Sequence, residues 1–436
     1  MATPLAYFKA DAARFRPETM TVKEWLTLGF QMLLILAAPL WLILQPTNSI
    51  AFVLFLGSLL LVRGIKLPVW TRAILIVLDL AIVMPIVGAT SGTFARVAAM
   101  IGIYGILSIG LNIVVGYTGL LNLGYAAFYA VGAYLYAIFA SAQARNFMPF
   151  GMYPLSGNWF WLFLILALVI TGFVGFLLGL PVLRLKGDYL AIVTLGFAEI
   201  IRLLFNNLNK PVNITNGPMG ITPIQPPMIF SLKLNQPVHY YMIVLVLLLI
   251  TVVLVRNLQN SRIGRAWVAI REDELVARTM GVPIVRMKLL AFSVAAGLAG
   301  MMGVVFAAMQ SYVDPTSFTF MESIVILCMV ILGGTGSLQG VIIGALAVVV
   351  LQLQILKDAS SFLTSLTASG VLNLPQWLNP AKYERLIFGL ILVLMCIFRP
   401  NGILPEKRVL RIKARLGFAP RDSAAKEADN VPKEGL

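Results

Sequence analysis

Two cysteines and one histidine among 436 residues leave almost nothing with which to build a metal centre or a disulfide framework. Cys328 and Cys396 both lie inside apolar runs, and His239 stands alone. Disulfide scaffolds and zinc modules are therefore excluded. Charge is scarce as well: Asp, Glu, Lys and Arg make up 12% of the chain, where soluble domains carry about 25%. The chain has no G-x-x-x-x-G-K-[ST] phosphate loop, no H-E-x-x-H helix and no G-x-S-x-G elbow. An Arg-rich voltage-sensing helix and a T-V-G-Y-G filter are also missing. No catalytic residue or metal ligand is assigned, and no cofactor is expected on this chain itself.

What remains is apolar. Hydrophobic residues make up 59% of the sequence, and the mean hydropathy is +0.90. A soluble fold would leave far too much of that surface in water, so the bilayer is the solvent that fits. The first apolar run, Trp25 to Leu44, follows a basic arm over 1–24 and is too long for a signal-peptide core. Eleven more follow, at 49–62, 73–94, 96–115, 119–141, 159–181, 189–205, 240–255, 288–310, 321–333, 341–356 and 385–399. The expected fold is an all-α polytopic bundle of about 10–12 membrane segments. The runs at 49–62, 321–333 and 385–399 fall short of the roughly 20 residues a perpendicular span needs.

The formal net charge of +15 suggests nucleic acid in a soluble protein but orientation in a membrane protein. With the N-terminus inside, 25 of the 33 Lys and Arg fall in inner segments: 1–24, 63–72, 116–118, 182–188, 256–288, 334–340 and 399–436. That bias places both termini in the cytosol and removes nucleic acid as a partner.

Two loops are long enough to meet partners. The outer loop 206–239 is rich in Asn and Pro and reads as irregular backbone with short turns. The inner loop 256–288 carries helix signals instead. Asp273 is a good N-cap, Glu274 suits a helix start and Arg278 a last turn, and Gly281 with Pro283 beyond it marks the stop. So short a helix, with Val276 and Met280 on one side, is not stable alone in water. It must dock either on the protein's own helices or on a cytosolic partner.

Gly116-Tyr-Thr-Gly-Leu-Leu-Asn122 and Gly333-Gly-Thr-Gly-Ser-Leu-Gln339 share the pattern G-x-T-G-x-L plus an amide, which suggests a parallel internal repeat. Broken helices at such glycines are tolerated only against a cavity or another helix. Asn112, Asn122 and Tyr125 are the candidates to line a pathway there. Gly336, Gly340 and Gly344 form a small-residue stripe suited to helix packing. Ionisable residues within the runs cost about 2.5–3.5 kcal/mol each at a membrane centre. Glu199 and Arg202, three apart, are expected to pair toward the bundle interior, with Glu199 also a pathway candidate. Asp79 lies mid-run, and Glu322 lies at a span end where snorkelling is cheap.

Four long segments resemble the permease subunits of bacterial branched-chain amino acid ABC importers. They are Gly119-Leu-Leu-Asn-Leu-Gly-Tyr-Ala-Ala-Phe-Tyr-Ala-Val-Gly-Ala-Tyr134; Leu183-Arg-Leu-Lys-Gly-Asp-Tyr-Leu-Ala-Ile-Val-Thr-Leu-Gly-Phe-Ala-Glu-Ile-Ile-Arg202; Gly264 through Gly281; and Leu332-Gly-Gly-Thr-Gly-Ser-Leu-Gln-Gly340. The ending Phe398-Arg-Pro-Asn-Gly-Ile-Leu404 is similar too. The resemblance covers about 95–405, the permease core. It leaves a cytosolic arm (1–24), extra N-terminal helices (25–94) like those of the larger permease subunit, and a polar, basic tail (406–436).

The resemblance implies an inner-membrane transport subunit, not an enzyme. Its implied partners are a second homologous permease, two cytosolic ATPases that bind ATP-Mg, and a periplasmic amino-acid-binding protein. It makes 256–288 the coupling element, with Arg271, Glu272, Asp273, Glu274, Arg278 and Gly281 as coupling residues, although the Glu-Ala-Ala…Gly spacing of many importers is not kept. Two alternatives stay open: an ion-gradient-driven secondary transporter using Glu199, Asp79 or Glu322, and a membrane scaffold that moves nothing.

Overall fold

The computed structural model describes residues 49–61, 79–146, 153–182, 188–368 and 402–404, with isolated residues between 37 and 44 and between 383 and 398. The arm 1–24, most of the first and last apolar runs, and the tail 406–436 lie outside the described residues.

The described chain is almost entirely helical. In order it forms α1 (Ser49–Leu61), α2 (Met84–Thr90), α3 (Gly92–Asn112), α4 (Tyr125–Phe139), α5 (Phe160–Val182), α6 (Asp188–Asn207) and α7 (Pro237–Asn260). Then come α8 (Arg262–Glu272), α9 (Glu274–Thr279), α10 (Ile284–Gln310), α11 (Phe320–Gly333), α12 (Leu338–Val350) and α13 (Leu356–Ala368). Among the described residues, six helices are long and apolar enough to cross a membrane: 92–117, 157–181, 189–207, 237–260, 284–310 and 338–361. Three shorter apolar helices span 79–90, 125–139 and 320–333. An all-α polytopic bundle is thus what the sequence builds.

The chain divides into two compact units: 1–102 with 235–247 and 349–382, and 103–234 with 248–348 and 383–436. In the first, Phe52 stacks on Phe94 at 4.6 Å, and Tyr241 donates to the Leu80 carbonyl. Asp79 opens a wide turn over Asp79–Val83, and its Oδ2 has no hydrogen-bond partner among the described residues.

The second unit is organised around α10, 27 residues long and mostly buried. Small residues let its neighbours approach closely. A Cβ added at Gly132 of α4 would lie 2.0 Å from the Gly300 carbonyl of α10. The stripe that runs into α12 behaves as expected at Gly340 and Gly344, which meet backbone of Gly333 and Met329 on α11, while Gly336 sits in the turn between the two helices. The loop 206–239 is irregular, as its prolines dictate. It holds one two-residue hairpin, Met228–Ile229 paired antiparallel to Leu232–Lys233, and a bridge from Ile221 to Val313.

Candidate functional site: a glycine junction under a docked two-helix segment

Between α7 and α10 the chain forms two helices where the charge pattern announces only the second. Ser261 caps α8, accepting from the Ile263 and Gly264 amides, and Asp273 caps α9, accepting from Leu275 and Val276. Gly281, at φ +82°, ends the turn. Such caps contribute about 1 kcal/mol each, so Asp273→Ala should lower the thermal midpoint by a few degrees without removing the protein from the membrane.

The rest of the stabilisation comes from packing. Trp267 is fully buried, and its indole N–H donates to the Met287 carbonyl at 2.7 Å. Ile270, Ala277 and Ile284 form a small core, with Ala269, Val282 and Met287 packed against it. Lys288 reaches back 14 residues to Glu274 at 2.9 Å, with side-chain exposures of 6% and 33%. One side of the segment is therefore docked on α10. The other carries Leu275, Val276 and Met280, exposed by 71%, 56% and 79%. Of the two alternatives for docking this helix, the protein's own α10 is the one the structure shows, and the opposite face is left exposed.

Arg271 connects this segment to the bundle. Its guanidinium donates to the Gly116 carbonyl at 2.5 Å and lies 3.4 Å from Glu272. Gly116 belongs to a wide π turn, Ile113–Tyr117, that closes α3; such turns recur at functional sites. Asn112, fully buried just before it, accepts from the Gly336 amide at 2.9 Å. The two loops that share G-x-T-G-x-L therefore touch each other. Residues 403 and 404 pair with the second of them: the Ile403 and Leu404 amides donate to the Leu332 and Gly333 carbonyls. Only glycine fits at 116, because an added Cβ would lie 2.0 Å from Asn112 Oδ1 and 2.5 Å from the Gly336 nitrogen.

Beyond Gly119 the chain turns back into the bundle before α4 begins. Asn122 accepts from the Gly124 amide, and the Leu123 amide donates to Thr194 of α6. Tyr125 donates to the Ala295 carbonyl, the twelfth residue of α10. Asn112, Asn122 and Tyr125 are all at most 1% exposed. The amide nitrogens of Asn112 and Asn122 have no partner among the described residues.

The start of α11 meets the start of α4 there: Ser323 Oγ accepts from the Ala126 amide, and Tyr104 donates to Glu322 at 2.5 Å. Two helices too short to span thus meet at their N-termini inside the bundle. That corrects the expectation that Glu322 snorkels from a span end, because Tyr104 is the thirteenth residue of the 21-residue α3.

The Glu199–Arg202 pair forms, with Arg202 Nε 3.0 Å from Glu199 Oε2. It does not face the interior. Leu190, Ala191, Thr194 and Ala198 are the buried positions of α6, because Gly124 packs directly on the Thr194 backbone. Glu199 is turned away from that face and 43% exposed, while Arg202, one turn beyond Ala198, lies at its edge and is 26% exposed. Sequence reasoning missed Lys288 and Trp267. Their signals were a lysine at the first position of an apolar run and an aromatic residue within a charged loop. No cluster of His, Cys, Asp or Glu suited to a metal occurs among the described residues.

The profile of the branched-chain amino acid transport system / permease component family matches residues 93–396. The high-affinity branched-chain amino acid transport system permease protein LivM of Salmonella typhimurium is 38% identical over 351 residues, 75% of this chain and 73% of that protein. The Escherichia coli protein of the same name is 37% identical over the same shares. The permease protein LivH of Salmonella typhimurium is 23% identical over 71% of this chain and 93% of its own length. No solved structure matches. The chain belongs to the family of permease components of branched-chain amino acid transport systems.

Proposed function

We propose that this chain is the membrane-spanning permease of an ATP-driven importer that carries branched-chain or related amino acids across the inner membrane. The observation that supports this most directly is the segment 262–280. It is fixed to the bundle by Trp267, Arg271 and Lys288 on one side, and offers Leu275, Val276 and Met280 on the other. An apolar knob held rigidly on a charged loop is what a separate cytosolic ATPase needs in order to push on the membrane domain. Hydrolysis belongs to that partner, which also holds ATP and Mg. The family and the likeness to LivH support a second, homologous permease, and a soluble amino-acid-binding protein would deliver substrate at the loop 206–239.

In this reading, closure of the ATPases moves α8 and α9 as one body. Arg271 passes the displacement to Gly116, and Asn112 passes it on to Gly336. The unwound stretch 119–124 then shifts α4 and with it Asn122 and Tyr125. A ligand-driven change of this kind needs two packed arrangements of different affinity. The junction supplies a place where a few hydrogen bonds could exchange.

Reconstitution with the ATPases, the second permease and the binding protein tests the proposal through uptake of radiolabelled leucine. Uptake should require ATP, and uptake driven by a proton or sodium gradient without ATPases would refute it. Leu275→Ser and Met280→Ser should each weaken ATPase docking roughly ten- to a hundred-fold, since burying such a side chain is worth about 1.5–3 kcal/mol. The amount of chain in the membrane should not change. Arg278→Glu reports on docking more cleanly than Glu274→Lys, because Glu274 is tied to Lys288.

A further inference from the structure

Among the six described helices long and apolar enough to cross a membrane, α6 is both the least apolar and the least covered. Only 22% of it is buried, against 89% for 92–117 and 78% for 284–310. A chain lying alone in lipid should show the reverse order, with its most polar helix sheltered and its most apolar ones outside.

The composition of the exposed faces sharpens the contrast. The outer face of α5 carries Ile165, Val169 and Phe173, and the helix has no charged residue over its 23 positions. The exposed middle of α7 is likewise Val246, Leu249, Ile250 and Val253. Both surfaces suit acyl chains. The exposed face of α6 runs through Tyr189, Ile192, Gly196, Glu199, Ile200 and Leu203. Glu199 is the twelfth of its twenty residues, about 16 Å from its first residue at 1.5 Å per residue. It is about 12 Å from the last residue, Asn207, so the carboxylate lies well inside the apolar length of the helix. A Cβ at Gly196 would meet nothing within 4 Å, so the notch beside the ion pair is open space.

We infer that the Ile192–Gly196–Glu199–Leu203 face of α6 is the seam at which the second, homologous permease subunit packs against this one. The inference rests on the functional reading above. Protein can offer polar groups to the Glu199–Arg202 pair and lipid cannot, and a glycine notch between large apolar residues admits a neighbouring helix. A homologous permease is the occupant that brings such a helix at the same depth.

The test uses the whole transporter expressed in membranes, with a photoreactive phenylalanine analogue at Ile192, Ile200 or Leu203 of α6, or at Ile165, Val169 or Phe173 of α5. Irradiation should give an adduct with the second permease from the α6 positions at least ten-fold more strongly than from the α5 positions. In a second arm, Gly196→Trp should leave the amount of this chain in the membrane unchanged and cut copurification of the second permease at least ten-fold. Equal adducts from both helices, adducts only with lipid, or adducts with another copy of this chain would overturn the seam while the transport reading stands. Failure of any second permease to copurify with the wild-type chain would overturn both.

Discussion

Gly116→Ala is expected to remove most of the folded transporter. The added methyl would sit 2.0 Å from Asn112 Oδ1 and 2.5 Å from the Gly336 nitrogen, distances that no Cβ tolerates. Overpacking a dense interior costs about 1–3 kcal/mol. If Asn112 yields instead, it gives up the Gly336 amide and leaves a buried N–H unpaired, at about 1–3 kcal/mol more. Proteins have only about 5–15 kcal/mol in hand, so the thermal midpoint of the purified complex should drop by ten degrees or more and its yield should fall. Asn112→Ala in the same chain separates the two contacts. It clears the side-chain clash but leaves the backbone one, so the double variant should recover less than half of the lost midpoint. Full recovery would show that the glycine answers only to the Asn112 side chain, and that the backbone approach of the two loops is not required.

Glu274→Gln should be the more damaging break of the ion pair beneath α9, and Lys288→Met the milder. The asymmetry follows from burial. Lys288 is 6% exposed and Glu274 33%, so losing the carboxylate strands an ammonium among apolar side chains. Losing the lysine leaves a carboxylate that water can reach. Removing one partner of a fully buried pair costs about 3–5 kcal/mol; with Glu274 one-third open, about 2–3 kcal/mol is expected for Glu274→Gln and under about 1.5 for Lys288→Met. Unfolding midpoints of the two variants, read together with leucine uptake, check this. Equal losses would mean that the pair is solvated and that α9 is held by Ala277 and Ile270 alone.

Much of this was legible along the chain. Apolar run lengths predicted a helical membrane protein, and the described helices answer to them. The cap at Asp273 and the stop at Gly281 were legible because helix ends are decided by three or four adjacent residues. The likeness of the 116–122 and 333–339 loops pointed to their relation, though not to their contact through Asn112. The position of Glu199 was misread for a definite reason. An i, i+3 spacing places two residues on one face of a helix, but nothing local says which face turns inward when apolar residues lie on both. Glu322 was misread similarly: run length marks where a helix starts, not the depth at which the start comes to rest.

The sequence by itself determined the solvent, the helical class, the family and the local ends of the docked segment. Each follows from composition or from short-range patterns that the backbone obeys wherever it lies. Tertiary structure decided that Lys288 anchors α9, that Arg271 grips Gly116, that α4 and α11 meet tip to tip, and that the Glu199–Arg202 pair faces outward. These depend on which surfaces pack together across tens to hundreds of residues. The fit of glycine against backbone, as at Gly124 on Thr194 or Gly132 on Gly300, sets that choice, and no periodicity in the chain records it.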